Sequence, residues 1–183
     1  MRTLEAVELS FFDKAPKLVT VEALVDAPRE RVFAAVAAEP GSWGRWFPGF
    51  SDDGRWETPS PYGVGSVRTV RVFGIRYREL ILAWDNGRRW AFRVDETTAP
   101  MFKAIAEDYQ FADEGTGTRL SWTVGVRPSL APLVSARLMR VYLRIVLRRA
   151  SMNLGRILAA TEPGGWAHEP TSTTSRCLGT AWG

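Results

Sequence analysis

The segment that most limits how this chain can fold is SLAPLVSARLMRVYLRIVLRRASMNLGRILAAT, residues 129–161. Ser129 suits a helix N-cap, and Pro132 is tolerated because first-turn amides have no intrahelical partner. A helix of about thirty residues would span roughly 45 Å at 1.5 Å per residue, long enough for a bend at Gly155. At 100° per residue Arg137, Arg140, Arg144 and Arg148 fall in one narrow stripe. Most of the remaining girth is apolar: Val134, Leu138, Val141, Ile145 and Met152 on one flank, Leu143, Val146, Leu147, Ala150 and Leu154 on another. A surface helix needs only one apolar face. This one must meet a sheet that curves around it, a second subunit, or a cavity on one flank.

The rest of the chain supplies the sheet. Val19, Val21, Ala23 and Val25 share one face of a strand over 17–25. Asp26-Ala27-Pro28 starts a helix carrying Val32, Phe33 and Val36, and a second short helix is expected over Ser42–Phe47. Six period-2 segments follow, at 54–58, 65–73, 75–84, 88–97, 103–112 and 118–126, each bounded by turn residues such as Gly74, Asn86-Gly87 and Gly115-Thr116-Gly117. Short turns make sequential strands antiparallel. The expected class is α+β, a curved antiparallel sheet of about seven strands around the long C-terminal helix. Residues 17–161 form the domain, 1–16 an N-terminal extension, and the Gly/Pro/Ser/Thr-rich 162–183 a flexible tail.

No run of about 18 apolar residues suggests a membrane span, and the first 16 residues carry three carboxylates rather than a secretory signal. A single cysteine, Cys177, cannot form an internal disulfide and fits a reducing cytoplasm. Residues 1–114 hold 15 Lys/Arg against 18 Asp/Glu, whereas 115–161 hold eight arginines and no acid. That block gives the Arg137/Arg140/Arg144/Arg148 stripe an option on nucleic acid or an anionic membrane, although a charge run is usually a solvated face.

Reactive chemistry is sparse. His168 and Cys177 both lie in the tail, so the domain lacks the commonest general base, a thiol nucleophile and the usual zinc or haem ligands. No cofactor and no metal are expected. On the strands, Trp90, Phe92 and Val94 share a face, as do Leu120, Trp122, Val124 and Val126. Two other faces carry acids among apolar neighbours: Ile75, Tyr77, Glu79, Ile81, and Ile105, Glu107, Tyr109, Phe111. Turned inward, Glu79 and Glu107 need partners; the favoured alternative is that they pair across strands with Arg71 or Arg78 or lie in water at a strand end. Glu107, Tyr109, Glu79, Tyr77 and Arg71 are the candidate acid–base set.

The turn WGRWFPGF at 43–50 concentrates aromatic surface between helix and sheet. Together with VDAPRERVFAAV at 25–36, GTRLSWTV at 117–124 and the long last helix, it resembles the START-like (helix-grip) superfamily, in its polyketide cyclase/dehydrase and lipid-transport branch. The resemblance covers roughly residues 17–160. It implies a sheet gripping the last helix with an apolar pocket between them, entered near the short-helix turn. Trp43, Trp46, Phe47, Phe50, Trp90, Phe92, Tyr109, Trp122, Leu138, Val141 and Ile145 are then the expected ligand contacts. The leading expectation is binding or carriage of a lipid, polyketide or isoprenoid by a monomer or homodimer. An aromatase/cyclase or dehydratase is the alternative, and an interaction module using the arginine stripe a further one.

Overall fold

The computed structural model describes residues 1–129 and 135–161. Six strands occupy the six period-2 segments: β3 (Arg55–Trp56), β4 (Val67–Val72), β5 (Ile75–Asp85), β6 (Arg89–Thr97), β7 (Phe102–Glu114) and β8 (Gly117–Pro128). With β2 (Lys17–Val25) they form a curved antiparallel sheet in the order β2-β8-β7-β6-β5-β4-β3. The first strand of the domain therefore pairs with the last, Val21 opposite Trp122, and β2 also carries most of the contact with the C-terminal helix.

Residues 1–16, read as an extension, pair with the sheet. Where β6 and β7 part beyond Arg93, β1 (Arg2–Thr3) takes the free edge of β6. The Leu4 amide then donates to the Asp95 carbonyl and that of Glu5 to the Lys103 carbonyl, stitching the two strands across the gap. A single turn, α1 (Phe11–Lys14), lays Phe11 on Ala104, Ala106 and Gly125. No apolar period announced this segment, because its residues plug a gap rather than build a face.

After β2, α2 (Arg29–Phe33) begins behind Pro28 without a side-chain cap, so Asp26 does not play the capping part expected of it. The helix loosens into a π turn over Ala34–Ala38 and a 3₁₀ turn over Pro40–Arg45. Terminal helix carbonyls need outside donors, and tryptophans provide them: Trp43 Nε1 donates to the Val36 carbonyl at 3.0 Å and Trp56 Nε1 to that of Ala38 at 2.8 Å. The aromatic turn thus closes the helix end as well as packing against it.

The last helix, α3, runs unbroken over Ala136–Ala160. Its N-cap is Ser135, whose hydroxyl accepts from the Leu138 amide, and not Ser129, whose own amide donates to Met101; residues 130–134 and 162–183 lie outside the described residues, and with them Pro132 and the tail. The helix is not interrupted at Gly155, which lies beside Asp26; the Asp26 amide nitrogen would be 3.4 Å from an added Cβ, an ordinary contact. The two apolar flanks part company: Leu143, Val146, Leu147, Ala150 and Leu154 are buried against the sheet, while Leu138, Val141, Ile145 and Met152 face solvent.

Candidate functional site

The sheet and α3 do not close completely. Between them lies a cavity of about 320 Å³, walled by Phe92, Val94, Ile105, Trp122, Val124 and Val126 from the strands, by Met139, Tyr142, Leu143 and Val146 from α3, and by Trp43, Phe47 and Phe50 from the aromatic turn. A pocket of 300 Å³ or more with few polar groups is what a small-molecule site requires.

Not every expected ligand contact reaches it. Trp43, Phe47, Phe50, Phe92, Tyr109 and Trp122 line the cavity, whereas Trp46 and Trp90 are buried outside its lining. Leu138, Val141 and Ile145 are placed away from it: Leu138 is 71% and Ile145 60% exposed. These three belong to the solvent flank of α3, because β2 engages the opposite side. The arginines of the stripe, Arg137, Arg140, Arg144 and Arg148, are likewise exposed.

The β4–β5 turn adds Val72, Phe73 and Ile75 to the cavity wall. Phe73 and Gly74 both have positive φ, 48° and 80°, as a two-residue primed hairpin turn requires. Phe73 is a costly residue there and is held by its surroundings. Its amide donates to the Gly49 carbonyl at 2.7 Å. Its ring lies so close to Gly49 that an added Cβ would come within 2.3 Å of it. Gly49 itself has φ 89°. Gly49→Ala is therefore expected to lose about 1–2 kcal/mol through left-handed backbone alone and to displace Phe73 from the cavity wall; urea denaturation measures the first effect.

Two polar clusters interrupt the apolar lining. In the first, Glu79 on β5 faces inward and is buried, contrary to the expectation of an outer or end-of-strand position. Its partner is neither Arg71 nor Arg78 but Arg68, directly opposite on β4, whose Nε donates to Glu79 Oε2 at 2.6 Å. Arg68 is 0% exposed and its guanidinium carbon lies 4.2 Å from the Trp90 ring centroid and 5.1 Å from that of Trp43. Arg71 points to the other face, paired with Asp53 at 2.8 Å, and leaves the candidate acid–base set on that ground. Arg78 pairs with Glu57, also at 2.8 Å.

In the second cluster, Glu107 on β7 accepts from the Tyr109 hydroxyl and from Trp122 Nε1, both at 2.9 Å. The surface that Glu107 keeps opens on the cavity, so its carboxyl is desolvated although the residue is only half-buried. Burial first, and then the charge of Glu79, push its pKa up to about 7, against the pull of the two hydrogen bonds. Burial raises Glu79 as well, with Arg68 opposing. Tyr77 is pushed up to about 12 by burial and by the two carboxylates, and Tyr109 is raised by burial and Glu107.

A carboxyl whose folded pKa exceeds its unfolded value, here about 7 against 4.5, keeps its proton in the folded state after the unfolded chain has lost its own. Stability from this group therefore falls as pH rises from about 4.5 to about 7 and is constant above. Glu107→Gln should flatten that fall in urea melts across the interval, leaving the part contributed by Glu79, which has the same sign.

The comparisons with known proteins accord with this geometry. The model of the polyketide cyclase / dehydrase and lipid transport family matches residues 17–159. The chain belongs to that family. An uncharacterised protein of Mycobacterium tuberculosis is 32% identical over 157 residues, covering 85% of this chain and 93% of that protein. Its counterpart in Mycobacterium bovis matches equally. Among solved structures, a START superfamily protein from Mycobacterium smegmatis superposes with a TM-score of 0.62 at 13% identity, over 79% of this chain and 98% of that one. A major latex-like protein from Panax ginseng gives 0.60 at 15% identity, over 80% and 97%. At such identities the likeness is one of fold, the helix grip. Among the described residues no helix of this family member is long and apolar enough to cross a membrane.

Proposed function

We propose that this member of the family binds a hydrophobic small molecule of lipid, polyketide or isoprenoid type in the cavity between the sheet and α3. The observation that carries the reading is the cavity itself: about 320 Å³ left open between the helix and the sheet, with aromatic and aliphatic walls. Interiors are ordinarily filled to crystal-like density, and an apolar void of this size is a standing loss of dispersion contacts that a greasy ligand restores. Native mass spectrometry of the freshly purified protein tests it. A discrete adduct released by organic solvent is expected; a bare chain that also takes up no added apolar probe would count against the proposal.

A second reading has one specific observation in its favour, a carboxyl held near neutrality and hydrogen-bonded inside an apolar chamber. Glu107, whose pKa lies at about 7, has the balance of protonated and ionised forms that a general acid–base needs. Positioned by Tyr109 and Trp122, it would move a proton on a bound carbonyl compound during cyclisation or dehydration. Loss of turnover in Glu107→Gln with ligand binding retained would support the enzyme; unchanged turnover would remove Glu107 from the chemistry, and no turnover by the wild-type chain would leave the carrier alone.

A further inference from the structure

The polar end of the chamber has a donor surplus. Arg68 donates through Nε to Glu79, yet Nη1 and Nη2 are both buried and have no hydrogen-bond partner among the described residues. The rings of Trp43, Trp90 and Phe92 compensate its charge, but ring faces do not accept hydrogen bonds from a guanidinium in the way an oxygen does. Unmade bonds of a buried charged donor are among the costliest omissions in a protein interior. Arg68 lines the cavity, so the missing acceptor can come from whatever fills it.

The charge inventory narrows that acceptor. The titratable and charged groups that line the chamber are Arg68, Glu79, Glu107, Tyr77, Tyr109 and Tyr142. Arg68 and Glu79 already neutralise each other at 2.6 Å, and the three phenols, all raised by burial, are uncharged at neutral pH. An incoming carboxylate would leave a net negative charge in an apolar enclosure, beside Glu79 and facing Glu107; a neutral oxygen would not. We infer that the ligand carries a neutral carbonyl-type oxygen, a ketone, ester or enol, which accepts from the free Nη groups of Arg68 while its hydrocarbon lies against Phe92, Val124 and Val146. This rests on the binding function proposed above and specifies the ligand's polar group.

Three probes of equal chain length separate the possibilities: undecane, methyl nonyl ketone and undecanoate, titrated into the full chain at neutral pH with tryptophan fluorescence as readout. A hydrogen bond to a charged donor predicts that the ketone binds about tenfold or more tighter than the alkane, and tighter than the acid. The carbonyl stretch of the bound ketone should move to lower frequency than in hexane, a readout that needs no variant. In Arg68→Met/Glu79→Met, which removes both charges together, the ketone-to-alkane ratio should fall to about one. Equal binding of ketone and alkane, an unshifted carbonyl band, or a ratio that survives in the double variant overturns the inference while leaving the apolar site standing. Tightest binding by undecanoate overturns it in favour of an anion. Failure of all three probes to bind removes the binding reading itself.

Discussion

Arg68→Met destabilises the protein by about 3–5 kcal/mol, the cost of leaving a buried charge without its partner, whereas Arg68→Met/Glu79→Met costs much less than that single change. Arg68 is 0% and Glu79 4% exposed, and the two are joined at 2.6 Å. Removing the guanidinium strands a buried carboxylate without its partner; the carboxyl then takes up a proton, and its loss of ionisation is the loss of stability. Removing both groups leaves two side chains of suitable volume in an apolar wall, an exchange that is often neutral or favourable. Urea denaturation of the two single variants and the double completes the cycle. A double variant as unstable as the sum of the singles would show that the pair is not a coupled unit.

Trp43→Ala removes the centre of the aromatic turn and is expected to cost about 3–5 kcal/mol. Its ring lies 4.6 Å from Phe50, 4.7 Å from Trp46, 5.3 Å from Phe47 and 6.1 Å from Tyr109, measured between centroids. Truncation opens a hole continuous with the cavity and leaves the Val36 carbonyl without its donor. Trp43→Phe separates the two contributions, since it retains most of the packing and loses the hydrogen bond, worth about 1 kcal/mol. Thermal melts of both variants check this. Equal losses in the two would place the stabilising role in the hydrogen bond rather than the ring.

Both predictions turn on contacts that the sequence signalled unequally. Strand positions followed from period-2 alternation and from Gly74, Asn86-Gly87 and Gly115-Thr116-Gly117, because most strands bury one face and wet much of the other; the alternation lapses where Phe11 covers the outer side of β7 and β8 at Ala104, Ala106 and Gly125. The Arg68–Glu79 pair was also within reach. A two-residue turn at Phe73-Gly74 fixes Val72 opposite Ile75 and, counting back, Arg68 opposite Glu79. Arg71 and Arg78 drew attention instead, although Arg71 has the opposite parity to Arg68 on β4 and so faces outward.

Helix α3 shows what alternation cannot reach. Its two apolar flanks are equal in sequence, and only the position of β2 across the sheet decides that Leu143, Val146 and Leu147 go inward while Leu138, Val141 and Ile145 stay out. Glu107 stands on an apolar face in the sequence, yet the favoured place for it, like that for Glu79, was a cross-strand ion pair or a wet strand end, and it lines the cavity instead. Its partners were not legible: Tyr109 lies two residues along the same face, whereas Trp122 comes from β8 through a pairing set by the whole hairpin. The stitching of β6 to β7 by residues 2–5 had no local pattern at all, since it depends on where those two strands diverge.

The central claim is that the space beside Val146 is a ligand chamber and not a packing defect. Fluorescence titration with an anilinonaphthalene probe, run in parallel on the wild-type chain and on Val146→Trp, tests it most directly. The account predicts one probe molecule per wild-type chain, and a Val146→Trp protein that folds, melts no lower than wild type and binds none, because the indole occupies the chamber. Undiminished probe binding by a folded Val146→Trp, or a variant that unfolds for want of room, would contradict it.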